Sequence, residues 1–171
     1  MAARVKVLSV TGGLRVGYGT IWRLGHEYEA RLLWEDRFPA RRLAIDVKFI
    51  TGLELQILRC RLHGLAAFDP KVEVYESAFP KTSDPEWEAW YQNIEAEYNR
   101  AIDIVHADFL SELRAIEPAQ LASLGSAWGA ACEGWWHQEW PEHAAWALGE
   151  FVRVAQTAGK RRMCVFATHF G

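Results

Sequence analysis

The sequence has no excess of positive charge, few cysteines and no long apolar run, and each absence argues against a class of protein. Its 171 residues carry 19 Lys and Arg against 22 Asp and Glu, a formal net charge of −3. No surplus of cations is therefore available to displace counterions from nucleic-acid phosphates. The sequence contains no stretch of about 18 uncharged apolar residues, which is the length needed to span a bilayer, and its N-terminus lacks the apolar core of a signal peptide. We expect a cytoplasmic protein without a nucleic-acid or membrane partner.

Signatures of redox, phosphate and nucleophile chemistry are also missing. The three cysteines, Cys60, Cys132 and Cys164, are odd in number, far apart and without a C-x-x-C pair, which indicates reduced thiols packed as small apolar side chains. The glycine-rich segment 12–19 leads into a strand-like pattern, whereas phosphate-binding loops lead into a helix. No Gly-x-Ser-x-Gly motif is present. The sequence favours a protein that is not an enzyme and needs no cofactor.

Apolar and aromatic side chains are abundant instead. Half of the residues are hydrophobic, and the chain has nine Trp, eight Phe and five Tyr. A chain of this length buries roughly 70% of the surface that it exposes when unfolded, which is enough for a core. Because the length corresponds to about one domain, we expect a single domain over residues 1–171.

The first half of the chain has the apolar alternation and turn spacing of strands. Segments with this pattern are residues 5–10, 18–24, 28–34, 43–49, 53–62 and 72–75. Residues 160–169 alternate again and are predicted to return to the same sheet. The β-rich part, residues 1–80, and this last strand predict an antiparallel meander or barrel-like sheet of about six or seven strands.

Residues 83–158 have helical periodicity, so the fold class is predicted as α+β. The strongest pattern predicts one long helix over residues 85–116, whose apolar positions step by threes and fours up to Pro118. Two shorter helices are predicted over residues 117–132 and 141–158, with Pro141 in the first turn of the last one. An apolar stripe as long as that of the 85–116 helix could also pair two copies of the chain.

Tryptophan is concentrated in one region, where five residues of this type lie between positions 128 and 146. Adjacent Trp135 and Trp136 cannot both face one core if their segment is extended. The cluster would either fill a volume under a loop or supply exposed anchors, because Trp is enriched at binding hot spots. We expect Trp135, Trp136 and Trp140 to bind a partner protein. The function predicted is a non-enzymatic interaction module: an inhibitor, immunity or accessory factor of bacterial or phage type.

The alternative is a small-ligand-binding protein or metal-assisted hydrolase with a Trp- and His-lined pocket between sheet and helices. Its weak candidate ligands lie on the predicted long helix and around the start of the last one, and are His137, Glu139, His143, His106 and Asp103. Two helices that each offer a carboxylate and an imidazole can build a metal site, but the spacing here lacks a recognised metal-binding motif. A pocket protein should show a concave site with convergent polar groups, and a docking protein an exposed apolar patch.

Overall fold

The computed structural model describes residues 19–39, 43–48, 50–92, 101–132 and 140–170, with residues 48, 140–142 and 170 described by their backbone alone. The strands in these ranges are β1 Gly19–Gly25, β2 Ala44–Lys48, β3 Tyr75–Phe79, β4 Ile102–Val105 and β5 Cys164–Phe170. The helices are α1 Ala30–Trp34, α2 Gly52–Leu62, α3 Trp87–Gln92, α4 Ala107–Arg114, α5 Leu121–Ala131 and α6 Trp140–Arg161, with 3-10 turns at Glu27–Glu29 and Pro118–Gln120. The predicted α+β class is confirmed.

The described strands form one open antiparallel sheet in the order β2-β1-β5-β4-β3. Its centre is β5, which lies between β1 and β4 and pairs Thr20 with His169 and Trp22 with Ala167. The prediction that residues 160–169 return to the sheet is therefore confirmed. This return places side chains from both ends of the chain next to each other.

Both faces of the sheet are covered by helices. On one face, Trp22 is fully buried and its ring lies 4.5 Å from that of Phe151 on α6 and 6.5 Å from that of Phe109 on α4. This larger core also takes in buried side chains of α2 and α5. On the opposite face, α1 packs against Phe166 and Ile102. A strand between two packed layers loses the apolar–polar alternation of a half-exposed strand.

The predicted long helix over residues 85–116 is wrong. In its place are the short helix α3, strand β4 and helix α4. The apolar stripe continued through β4 because Ile102 and Val105, three residues apart, are buried on opposite faces of the sheet. The helix that was considered as a surface for pairing two copies is therefore not formed.

Two predicted strands, over residues 28–34 and 53–62, are also wrong, because both segments are helical. At the start of α2 the Thr51 hydroxyl accepts the Leu53 amide at 3.3 Å, and Glu54 accepts the Thr51 amide at 2.7 Å. This reciprocal capping box stabilises the first turn of a helix. The predicted strand at 72–75 lies later, at β3, and the predicted strand at 5–10 falls outside the described residues. The described sheet thus has five strands instead of six or seven and is open at β2 and β3, and the described helices number six instead of three.

Helices α5 and α6 confirm the two shorter predicted helices, and they cross closely. An ideal Cβ built on Gly125 of α5 would lie 2.4 Å from the Cα of Ala145 on α6. Only glycine permits this approach of the two backbones. In the part of the chain that the structure describes, no helix has the length and apolar character needed to cross a bilayer.

Candidate functional site

The predicted tryptophan anchors lie mostly beyond what the structure describes. Trp135 and Trp136 fall outside the described residues, and Trp140 is described only as the first backbone position of α6. Two other members of the sequence cluster have opposite environments. Trp128 is fully buried and its indole N–H donates to the Glu54 carbonyl at 2.8 Å, whereas Trp146 is 46% exposed. The cluster is therefore divided between core and surface.

The three candidate metal ligands that lie within the described residues are not close to one another. Asp103 lies on β4 and bonds to His169, whereas His106 precedes α4 and lies 3.9 Å from the Glu73 carboxylate. His143 is on α6 beside Trp146, at a ring distance of 5.1 Å. His137 and Glu139 fall outside the described residues. Within the described ranges, no group of three or more His, Cys, Asp or Glu side chains is placed to hold a metal ion.

A polar network that the sequence did not indicate crosses one end of the sheet. The Thr20 hydroxyl lies 3.0 Å from His169 Nδ1, and His169 Nε2 lies 3.2 Å from the Asp103 carboxylate. The Trp22 indole N–H donates to the Tyr75 hydroxyl at 3.1 Å, and the Tyr75 and His169 rings meet edge to face at 5.0 Å. The network joins β1, β3, β4 and β5. Thr20 and His169 are 149 positions apart in sequence, so only their pairing in the sheet brings them together.

The network has the order of a hydroxyl, a base and a carboxylate, which is also the order of groups in nucleophilic catalysis. Thr20, however, has no exposed surface, and both ring nitrogens of His169 are already engaged. Burial raises the pKa of the Tyr75 hydroxyl well above its ordinary value, so this hydroxyl stays protonated. The geometry therefore supports a role in holding four strands in register, with the hydroxyls as fixed hydrogen-bonding groups.

A second charged cluster joins α2 to α4. Arg59 donates to both carboxylate oxygens of Glu112, from Nε to Oε2 at 3.0 Å and from Nη2 to Oε1 at 2.8 Å. His63 Nε2 lies 3.1 Å from the same carboxylate. Burial opposes ionisation of Glu112, but the hydrogen bonds from Arg59 and His63 outweigh it and hold the pKa of this carboxyl below its ordinary value. The Arg59 guanidinium also lies over the Phe109 ring. These contacts account for the cluster as an interhelix tie.

A group of aromatic side chains lies on α3, and we call Trp87, Trp90 and Tyr91 the α3 aromatic surface. Trp87 lies 5.1 Å from Trp90 and 6.1 Å from Tyr91 between ring centroids, and its ring is stacked on that of Tyr91. Tyr91 is 60% exposed, whereas Trp87 and Trp90 are partly buried. The three rings thus form one group that is most open to solvent at Tyr91.

The α3 aromatic surface is held beside α1 by polar contacts. Arg31 on α1 forms an ion pair with Glu86, the residue before α3. Asp84 accepts the Lys81 amide at 2.6 Å in the turn that leads into the helix. Lys81 also reaches Glu27 at 3.3 Å. These contacts fix the position of α3 relative to α1.

Comparison with known proteins adds no assignment, because no family model matches the chain and no curated protein or solved structure is significantly similar to it. The sites are therefore interpreted from their own geometry.

Proposed function

We propose that the protein is an interaction module that docks on another protein through the α3 aromatic surface. The observation that carries this proposal is that a six-residue helix without a buried residue bears three large aromatic side chains within five positions. Tyr91 is exposed beside the partly buried rings of Trp87 and Trp90, and apolar groups that reach the surface together mark interaction sites in soluble proteins. Trp and Tyr are also the residues in which binding energy is most often concentrated.

Folding stability does not account for the exposed ring of Tyr91. A helix as short as α3 is marginal by itself, and most helical stability in proteins comes from burial of an apolar face. Trp87 and Trp90 are partly buried and supply some of that burial, whereas Tyr91 is 60% exposed. A partner that covers Tyr91 and the open part of Trp87 would bury further apolar area.

The proposed function is the one expected from the sequence, and the α3 aromatic surface is a second docking site beside the predicted tryptophan anchors. Trp135, Trp136 and Trp140 remain proposed anchors, and half-exposed Trp146 lies on the same helix as Trp140. Action in the cytoplasm as an inhibitor, immunity or accessory factor of bacterial or phage type remains part of the proposal. The rival pocket function needs convergent polar groups that a ligand can reach, and the Thr20 hydroxyl of the polar network is buried and out of reach.

Photo-crosslinking in living host cells tests this function. A benzoylphenylalanine probe at position 91 in place of Tyr91 should give a discrete adduct with one protein, and Trp87→Ala in the same chain should abolish that adduct. The matched control is the same probe in place of Phe68, an exposed aromatic residue beyond the end of α2. No adduct at position 91, or the same adducts at both positions, would contradict docking through α3.

A further inference from the structure

We infer that the segment received by the α3 aromatic surface is a basic one, rich in Arg or Lys, on a partner protein. This inference rests on the proposed function and adds the chemistry of the partner. It is carried by the charges around the aromatic rings and by the way the local cations are already paired.

Acidic side chains are concentrated around these rings. Residues 26–39 and 81–92, which lie on the two sides of the Arg31–Glu86 ion pair, contain seven acidic and three basic side chains, a net charge of −4, and Glu29 alone of these acidic side chains is buried. The whole chain has a net charge of −3, so the rest of the molecule is close to neutral. The α3 aromatic surface therefore lies within the acidic region of the protein.

The three cations of this region are all engaged by its own carboxylates. Arg31 and Arg37 contact Glu35 at 3.0 and 2.9 Å, Arg31 also pairs with Glu86, and Lys81 pairs with Glu27. None of these three cations is therefore left to receive an acidic partner. A nucleic acid or an acidic protein segment would meet net repulsion at this surface.

Two carboxylates close to the rings in sequence accept hydrogen bonds from neutral groups. Glu88 on α3 accepts a hydrogen bond from the neutral amide of Gln92, and Asp84 accepts one from the Lys81 backbone amide. An incoming guanidinium could stack on the Trp87 or Tyr91 ring while it donates to such a carboxylate, which combines cation–π attraction with a charge-assisted hydrogen bond.

A second copy of the chain is a poor occupant of the same surface. A two-fold symmetric contact places the same patch on both sides, so two acidic surfaces would face each other. Like-charge juxtaposition of this kind suppresses pairing. A basic segment of a different protein satisfies both the aromatic and the acidic character of the surface.

The test is a titration of the whole chain with two short synthetic peptides, one of alternating Arg and Ser and the other of alternating Glu and Ser. Binding is followed by NMR through the indole N–H signals of Trp87 and Trp90. The basic peptide should shift these signals, and raising the salt from about 50 mM to about 0.5 M should weaken its binding. The acidic peptide should leave the signals unchanged.

Charge reversal at Glu88 provides the matched variant. Glu88→Lys should weaken binding of the basic peptide by about tenfold, because it replaces an attractive charge beside the rings with a repulsive one. Glu73→Lys makes the same charge change at an exposed site before β3, outside the α3 aromatic surface, and should have little effect on binding of the basic peptide. Unchanged unfolding midpoints would show that both variants remain folded.

The inference is overturned if the basic peptide leaves the Trp87 and Trp90 signals unchanged, if Glu88→Lys binds it as tightly as wild type, or if the acidic peptide binds equally well. It is also overturned if the rings are covered by self-association that Trp87→Ala abolishes. If position 91 still crosslinks to one protein while the basic peptide fails to bind, the inference fails and the proposed function stands.

Discussion

The close crossing of α5 and α6 predicts that one added methyl group has opposite effects at two glycines. At Gly125 an added Cβ would lie 2.4 Å from the Cα of Ala145 and 2.8 Å from its backbone nitrogen. Ordinary contact begins at 3.4 Å, so the helices would have to separate by about 1 Å. At Gly149, on α6, an added Cβ meets nothing within 4 Å.

The magnitudes follow from two competing effects. Replacing glycine by alanine inside a helix gains about 0.5–1 kcal/mol of stability, because glycine has the greater backbone freedom to lose. Overpacking costs typically about 1–3 kcal/mol, and here the clashing atoms are backbone, which cannot rotate away. Gly125→Ala should therefore lower the free energy of unfolding by about 2 kcal/mol, whereas Gly149→Ala should raise it by about 0.5–1 kcal/mol.

Urea unfolding followed by tryptophan fluorescence and by circular dichroism measures both variants. Each variant should keep the wild-type slope while its midpoint moves, in opposite directions for the two glycines. Wild-type or higher stability for Gly125→Ala would refute the close helix crossing on which the reasoning depends.

Four further predictions address the buried network, the interhelix ion pair, a thiol and a sequence-predicted anchor. Tyr75→Phe should lower the free energy of unfolding by about 1–3 kcal/mol, since it leaves the buried Trp22 indole N–H without its acceptor. The stability that Glu112 contributes should be complete above its ordinary pKa of 4.5 and disappear as the pH falls through its lower folded value, so wild type and Glu112→Gln should converge in urea unfolding at acid pH. Burial raises the pKa of the Cys132 thiol to about 12, so at pH 8 a thiol reagent should label this residue only after unfolding, and rapid labelling of the native protein would contradict its burial. Trp136→Ala should leave the melting temperature nearly unchanged and weaken the partner complex by about 2 kcal/mol, and a variant that unfolds instead would exclude Trp136 as an anchor.

The sequence predicted those elements in which local pattern and burial agree. Residues 18–24, 43–49 and 160–169 were predicted as strands and correspond to β1, β2 and β5. The helices after Pro118 and around Pro141 were also correct, because proline and the apolar period both mark the first turn of a helix. In these segments the run of apolar residues stays within a single element and is not continued with the same period by the next one.

The same reasoning failed where the apolar residues of neighbouring elements continue with one period. Strand β4 is buried on both faces, so its apolar residues joined the periods of α3 and α4 into one apparent helix. The strand predicted at 53–62 was avoidable, because Thr51 and Glu54 form a capping-box signature that precedes an apolar run. Periodicity alone does not distinguish a strand from a helix in so short a segment.

The candidate sites were less predictable than the fold. The apolar stripe of the helix predicted over residues 85–116 includes Trp87 and Tyr91. Spacing shows which residues share a face, but it does not show whether anything covers that face. The bond between Thr20 and His169 depends on the return of β5 to the centre of the sheet, and no local pattern reports which side chains then become neighbours. The charge around α3, by contrast, could have been counted from the sequence once α1 and α3 were known to adjoin.

The most direct test of docking through α3 is the affinity of the protein captured at position 91 for purified variants of the chain. Tyr91→Ala should weaken the complex by about 2 kcal/mol, roughly thirtyfold in Kd, while the unfolding midpoint stays near that of wild type because Tyr91 is 60% exposed. Phe68→Ala, which removes an exposed aromatic ring elsewhere, should bind as wild type does. Equal affinities for Tyr91→Ala and wild type, measured by calorimetry on folded proteins, would contradict the assignment of the α3 aromatic surface as the docking site.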